Sequence, residues 1–501
     1  MNLLLSVVSG AALVAVFPRF DLAWLAPGAL APLLVAVGRA RHWRDRALCG
    51  YAAGFVYWFG ACYWIQYVLA TYGGLGTAGS WGVFLLFCAI KALHMAAFAI
   101  AAGAVLAWWW ALPAVAALWV AIERLHAPLG FPWQALGNAG IDMGIPMRLA
   151  PLTGVYGLSY VFALMNTALA LALLRRPRHH LAWLLALPLL YLLPPLPAPR
   201  AGNEMAVLVQ PNLPQEADWT RAQLEETERR ISYLSLQASL TTDQPPPRLL
   251  VWPEVPAPFY YYADSHFRDL VTGLARLARS WTVIGTVAHT PRGEPLNSAV
   301  VLAPSGEPAG RYDKIHLVPF GEFVPKYFSF INKITPEAGN FQPGASLKVF
   351  RTEAGIVGLF ICYEAAFPHF VRRFAAEGAE VLVNISNDGY FGRTAARDQH
   401  LKIARMRAAE NRRWLLRATN DGITTAIDPA GRLTDRLPPF REAALRTHFS
   451  WVRDRTPYTR YGDWFAWLCA AGGLLTLLPA LTEHLRALRL RPGVPRLSRG
   501  G

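Results

Sequence analysis

The chain has 501 residues, 54% of them hydrophobic and only 16% charged, with a formal net charge of +15. That is too apolar for an ordinary soluble protein. Many of the basic residues lie in short segments between apolar runs, not in one patch, which argues against a nucleic-acid binder and for membrane topology signals.

Eight stretches approach the roughly 20 apolar residues that a membrane helix needs. They are residues 3–17, 22–38, 47–70, 81–106, 108–125, 151–174, 181–197 and 464–482. The first lacks a basic leader and runs straight into the second, so it reads as a retained span and not a signal peptide. The run from Trp81 to Leu125 is long enough for two helices, and the interfacial residues Trp108, Trp109 and Trp110 mark the break. Lys91 reads as a residue that snorkels, and Glu123 and Arg124 as interfacial. Arginine clusters set the orientation. Arg39, Arg41, Arg44 and Arg46 follow the second span, Arg175, Arg176 and Arg178 the sixth, and Arg486, Arg489, Arg491, Arg496 and Arg499 the eighth. The positive-inside rule puts all three in the cytoplasm and residues 198–463 outside, which in a bacterium is the periplasm.

Between about Gly202 and Tyr461 the pattern changes to short apolar runs alternating with helical stretches. Met205–Gln210, Leu249–Trp252, Thr282–Val287, Ala299–Leu302, Ile356–Cys362, Val381–Ile385 and Leu415–Thr419 read as strands covered on both faces. Thr220–Gln237, His266–Ser280, Phe367–Glu377 and Arg397–Asn411 read as helices, giving an α/β domain with a central sheet. The predicted organisation is therefore membrane helices over 1–200, a catalytic domain over 201–461, and a last membrane helix with a basic tail over 462–501.

Cys362 is the only cysteine of that domain, at the abrupt polar end of Gly-Leu-Phe-Ile-Cys-Tyr-Glu, which makes it a candidate nucleophile. With no Cys-x-x-Cys pair and no His-rich tract, the sequence speaks against a structural zinc site. Glu254 follows a strand that Pro253 ends, and Lys314 stands in Arg-Tyr-Asp-Lys beside an apolar stretch that would desolvate it. α/β enzymes keep their sites at such strand ends. A carboxylate can take a proton from a thiol, and an ammonium can stabilise the oxyanion that follows its attack on a carbonyl. Glu254, Lys314 and Cys362 together suit acyl transfer through a thioester.

On these motifs the domain resembles the nitrilase, or carbon–nitrogen hydrolase, superfamily, whose members carry Glu, Lys and Cys in this order on an αββα sandwich. With apolar spans before and after the domain, the whole chain resembles the bacterial apolipoprotein N-acyltransferases. Further matching segments are Val209–Asn212, Leu296–Ala299, Pro319–Glu322, Asn384–Asp388 and Arg417–Asn420. The resemblance implies a polytopic inner-membrane protein of about eight spans with a periplasmic nitrilase-like domain. It makes Glu254 the general base, Lys314 the oxyanion-stabilising cation, Cys362 the acyl acceptor and Glu322 a supporting carboxylate. It assigns Tyr363, Glu364 and Trp219 to substrate binding. It implies a phospholipid donor, a diacylglyceryl apolipoprotein as acceptor, no cofactor, no nucleic acid and a monomer. Two rival readings are a membrane-tethered amidase or nitrilase acting on a small amide, and a non-catalytic lipoprotein-binding module.

Other features are read more plainly. His289, His316 and His400 are expected in loops or on the surface, with Asp388 and His400 at most supporting the site architecture. Arg405, Arg407, Arg412 and Arg413 are expected on a solvated helix face. Two aromatic segments, Phe259–Tyr262 and Tyr327–Ile331, are expected to rest on the outer leaflet and form a lid over the cleft.

Overall fold

A computed structural model describes residues 1–127, 131–215, 219–241, 245–319, 321–323 and 341–489. The expected aromatic segment 327–331 and the basic tail beyond 489 lie outside the described residues.

Two helices are each long and apolar enough to cross a bilayer, Gly76–Val105 and Val155–Leu173. A third candidate is the pair Trp43–Ala61 and Trp64–Tyr72, bent by 55°. Asn2–Val16 and Trp464–Pro479 are apolar but shorter. A helix of that size rises ~22 Å, below the ~30 Å of the hydrocarbon layer. The expected break at the tryptophan triplet is present, between Val105 and Ala111. Two expected spans are irregular. Residues 22–38 form a 3₁₀ turn, Ala23–Leu25, and a nine-residue helix, Ala31–Arg39. Residues 181–197 fall largely in a 3₁₀ helix, Arg178–Leu192, that contains Pro188. Proline lacks the amide hydrogen and clashes with the preceding turn, so an apolar run that contains it makes a poor straight helix.

The α/β domain begins with β1, Glu204–Gln210, and continues with β2, Leu249–Val251, β3, Trp281–His289, β4, Pro295–Leu302, and β5, Pro308–Asp313. It then runs through β6, Val349–Arg351, β7, Ile356–Ile361, β8, Val381–Ser386, and β9, Trp414–Thr419. It closes with β10, Thr425–Ile427, β11, Leu433–Arg436, and β12, Ala443–Phe449. All seven expected strands and all four expected helices are present. Two six-stranded sheets result, in the orders β12-β1-β2-β3-β4-β5 and β11-β10-β9-β8-β7-β6. β12 returns to pair antiparallel with β1 and so ties the end of the domain to its start. The sheets face each other, with helices Arg221–Ser239 and Ser265–Ala278 outside the first and Pro368–Ala376 and Ala396–Asn411 outside the second. This is the four-layer αββα sandwich that the resemblance implied.

The first sheet shows why its strands lack polar alternation. Ala206 and Leu208 join the core between the sheets, whereas Val207 and Val209 join a second core beneath the outer helices. Leu250, Ile284 and Val300 repeat the outward choice, and Val251, Val283 and Ala299 the inward one. Side chains still alternate between faces, but both faces are apolar. The outer helices start where their sequence says. Thr220 and Gln223 form a reciprocal capping box, and the Asp264 carboxylate accepts from the Phe267 amide.

Helix Ala396–Asn411 overturns the expectation of a solvated basic face. Arg405 and Arg407 are buried, as is Arg413 just beyond the helix. The helix docks the α/β domain onto the N-terminal region. The Gln399 amide accepts from the indoles of Trp133, at 2.8 Å, and Trp64, at 3.2 Å, and donates to the carbonyls of Pro18 and Ala61. Lys402 pairs with Asp21, Arg405 with Asp142, and Glu410 accepts from the Val155 amide at 2.8 Å. Three further residues are more deeply placed than expected. Lys91 does not snorkel: it is buried, donates to the Phe131 carbonyl at 3.2 Å and lies over the Trp58 ring. Glu123 is buried, and Arg124 pairs with Asp463 at 2.6 Å.

Candidate active site

Glu254, Lys314 and Cys362 come to the same mouth of the sandwich, each just past the end of a strand. After β2 the backbone turns at Pro253 and crosses directly over Gly285 of β3. A β-carbon at Gly285 would sit 2.2 Å from the Pro253 carbonyl oxygen, so only glycine lets the Glu254 segment lie so close. Lys314 follows β5, and its amide donates to the Asn297 carbonyl at 2.8 Å. Cys362 follows β7 at φ 50°, a left-handed conformation that costs a non-glycine residue energy and is found at functional turns.

The charged part of the site is tightly bonded. The Lys314 ammonium donates to Glu254 Oε1 and to Glu322 Oε1, both at 2.9 Å. The Asn297 amide donates to the same two oxygens, at 2.8 and 2.6 Å. The Asn387 backbone amide donates to Glu254 Oε2, and the Val318 amide to Glu322 Oε2, each at 2.8 Å. Burial alone would push the Lys314 ammonium down, but the Glu254 and Glu322 carboxylates carry it well above its ordinary value. The lysine therefore stays charged. Burial pushes the Cys362 thiol up and the Glu254 charge pushes it further, against the pull of Lys314. The resting cysteine is a thiol that needs a base, not a stored thiolate.

Glu364 and Tyr363 flank the cysteine in different ways. Glu364 is fully buried and binds the two active segments together. Its carboxylate accepts from the amides of Ile315, at 2.7 Å, and His316, at 3.1 Å, beside Lys314. It also accepts from the Ile361 amide, at 2.7 Å, beside Cys362, and from the Tyr312 hydroxyl. Tyr363 packs against Phe367 and against Phe131 and Trp133 of the N-terminal region. Trp219 lies half-buried against the core beneath the outer helices.

His400 is not a surface residue. It is fully buried, and its Nε2 lies 3.0 Å from the Cys362 carbonyl oxygen. A carbonyl only accepts, so Nε2 carries the proton. Burial lowers the imidazole's affinity for a second proton, against the pull of Asp388, and Nδ1 lies 3.1 Å from both Asp388 Oδ1 and Arg417, which also holds Asp388 at 2.8 Å. This network steadies the strained turn from behind. His289 is exposed, and His316 stacks on Phe367 at 4.2 Å. The aromatic segment after Glu254 is not a free lid. Phe259 and Tyr261 are buried in the second core, and only Tyr260 and Tyr262 face outward. Sequence reasoning assigned no role to Asn297, although it sits in the quoted Leu296–Ala299 segment.

This arrangement holds one thiol, two carboxylates and one cation on a buried, hydrogen-bonded frame. It can form and resolve an acyl thioester. A carbon-nitrogen hydrolase family model matches residues 209–448, and a model of the apolipoprotein N-acyltransferase N-terminal domain matches residues 9–168. The apolipoprotein N-acyltransferase of Geobacter metallireducens is 38% identical over 494 residues, which cover 94% of this chain and 93% of that protein. That of Ralstonia nicotianae is 33% identical over 488 residues, covering 93% and 90%. Among solved structures, an amidase variant of Nesterenkonia from the nitrilase superfamily matches 52% of this chain and 95% of its own, at 21% identity and a TM-score of 0.39.

Proposed function

The chain belongs to the apolipoprotein N-acyltransferase family, and from that premise we propose that Cys362 is its acyl-accepting nucleophile, Glu254 its general base and Lys314 its oxyanion-stabilising cation. The protein is an acyltransferase of the bacterial inner membrane that acts in lipoprotein maturation, with a phospholipid as donor and an apolipoprotein as acceptor.

In the first half-reaction Glu254 takes the thiol proton and the sulfur attacks the acyl ester carbonyl of the phospholipid. Negative charge gathers on the carbonyl oxygen, next to the Lys314 ammonium. The carbon–oxygen bond breaks, the lysophospholipid leaves with the proton from Glu254, and a thioester remains on Cys362. In the second, the α-amino group of the diacylglyceryl-cysteine attacks the thioester. Glu254 accepts a proton from the amine, the carbon–sulfur bond breaks, and Glu254 gives that proton to the departing sulfur, so the thiol is restored as the amide leaves. Glu322 shares the lysine and keeps it in place. Tyr363 shapes the substrate side of the cysteine, Glu364, expected to bind substrate, instead acts as the buried clamp that positions the cysteine turn, and Trp219 engages the acyl chain or acceptor. The observation that carries this reading is the Glu254–Lys314–Glu322 cluster, held at 2.9 Å on each side, beside a cysteine on a strained turn.

We further propose about eight membrane segments, counting the shorter and broken ones, with residues 201–461 in the periplasm and the arginine clusters in the cytoplasm. The positive-inside rule supports this orientation. The decisive experiment incubates the full-length enzyme with a defined phospholipid and a diacylated lipopeptide and reads both products by mass. An acyl adduct on Cys362 and a triacylated peptide are expected. Hydrolysis of a small amide with no acyl transfer would favour a tethered amidase instead.

A further inference from the structure

Beside the triad lies a groove of about 650 Å³ whose role the acyl-transfer chemistry leaves unassigned. Tyr67 and Tyr72 line one side, at the end of the bent helix pair, and Gln215, Arg393, Arg397 and Phe440 line the other. We propose that this groove holds the phosphodiester of the acyl donor, with Arg393 as its anion-binding side chain. The inference rests on the reading of the protein as a phospholipid-dependent acyltransferase.

Three observations carry it. The first is charge. Arg397 is buried and committed: it pairs with Asp421 at 2.8 Å and donates to the Gly392 carbonyl at 2.7 Å. Arg393 is exposed and pairs with no carboxylate among the described residues. The groove thus presents one uncompensated guanidinium, the group best suited to fork onto phosphate oxygens. The second is pre-organisation. Both guanidiniums lie over the Phe440 ring, Arg393 at 4.5 Å and Arg397 at 4.1 Å from its centre. Phe440 is held at φ 60°, its amide donating to the Asp421 carbonyl at 2.9 Å. A bulky aromatic in that conformation is an outlier, and such strain persists where a side chain must be presented in one place. Contact with the ring face restrains the position of a guanidinium before any ligand arrives.

The third is position. Gln215 and Asn387 exchange side-chain hydrogen bonds at 3.1 and 3.2 Å, and the Asn387 amide holds Glu254. The groove floor is therefore one residue removed from the base. In a glycerophospholipid only the glycerol separates the acyl ester from the phosphodiester, so an ester at Cys362 puts the phosphate close by. The tyrosine wall belongs to the N-terminal region, and tyrosines favour the level of lipid headgroups. Gly392, at φ 55°, lets the arginine-bearing loop press against that wall, since a β-carbon there would lie 2.5 Å from Tyr67.

The test compares wild type with Arg393→Ala and Arg393→Lys, as full-length enzymes in mixed micelles. Thioester formation is measured with a phospholipid donor and with p-nitrophenyl palmitate, which has no phosphate. Transfer from preformed acyl-enzyme to a diacylated lipopeptide is measured separately. Arg393→Ala should raise KM for phospholipid about tenfold to a hundredfold more than for the neutral ester, the range for charge-assisted bonds. Arg393→Lys should recover part of that loss, because it keeps the charge without the fork. Equal losses with both donors would overturn the proposal, as would a loss confined to the lipopeptide step, which would make the groove an acceptor site. A wild-type enzyme that forms no thioester from any phospholipid would sink the underlying functional reading instead, and so is separable from either result.

Discussion

Lys314 and Arg407 are both 1% exposed and both lie against carboxylates, yet their hydrogen bonds are spent differently. Lys314 has three donors and uses two of them on Glu254 and Glu322 among the described residues. One donor is left for an oxyanion forming at Cys362. Arg407 faces Glu410 through Nη2 and Nε, each at 2.8 Å, and Glu410 in turn takes the Val155 amide from the N-terminal region. That chain of contacts ties the helix Ala396–Asn411 to the N-terminal region. A buried charge whose partner reaches into another region joins two parts of the fold. A buried charge with a spare donor beside a nucleophile is available for chemistry.

The largest effect should come from the group the spare donor serves. Cys362→Ala is expected to abolish both the thioester and the triacylated product, measured by intact mass and lipopeptide mass. Cys362→Ser should be nearly inactive, because a hydroxyl is far harder to deprotonate than a thiol. Most of the activity surviving in the alanine variant would remove the covalent route. Next in size is Lys314→Met, expected to slow thioester formation by about 10²- to 10³-fold, the range for losing one oxyanion donor. It should accumulate no acyl-enzyme. A stable acyl-enzyme in that variant would move the lysine's work to the second step and break the contrast with Arg407.

The two charged regions were not equally legible in the sequence. The triad could be read because each member ends an apolar run, with Pro253 or a change to polar residues marking the edge. Arg405 and Lys402 could not, because their partners Asp142 and Asp21 lie in distant parts of the chain. A run of arginines on one helix looks the same whether it meets water or another domain. The strands β5, β11 and β12 were missed for a related reason. They are partly exposed, antiparallel and polar, as in Leu433–Arg436, so neither a long apolar run nor clean alternation announced them. Phe259–Tyr262 carries no such signal either: its four aromatics look alike in the sequence, and only the fold alternates them between buried and exposed, at the period of an extended chain.

If Arg407 is purely structural, Arg407→Met should lower stability by on the order of a few kcal/mol, because it leaves the buried Glu410 carboxyl without its cation. Activity per folded molecule should not change. Thermal melts in detergent, alongside thioester formation corrected for the folded fraction, check both halves. The double variant Arg407→Met/Glu410→Gln should recover part of the loss, since no unpaired charge remains and the acceptor for Val155 is kept. A variant that melts like wild type but acylates slowly would place Arg407 on the chemical side of the comparison.

Glu364 sharpens the comparison at smaller scale, because it is a buried carboxyl inside the active site itself whose acceptors are spent on the protein. Burial raises its carboxyl to about 7, against the four donors of Ile361, Ile315, Tyr312 and His316, which pull it down. An unfolded glutamate titrates near ~4.3. Between those values the folded protein holds a proton that the unfolded chain has released, so the stability tied to that proton is full below about 4.3 and is lost as the pH rises through 7. Glu364→Gln cannot titrate. The stability of wild type relative to Glu364→Gln, from melts of both, should therefore fall from pH 5 to pH 8, by on the order of a few kcal/mol at most. Taking the difference cancels the other titrating groups. A gap that is constant or widens with pH would mean that the four donors win and the clamp is ionised throughout. The carboxylate joining the lysine segment to the cysteine turn would then be held by charge-assisted bonds and not by a buried proton.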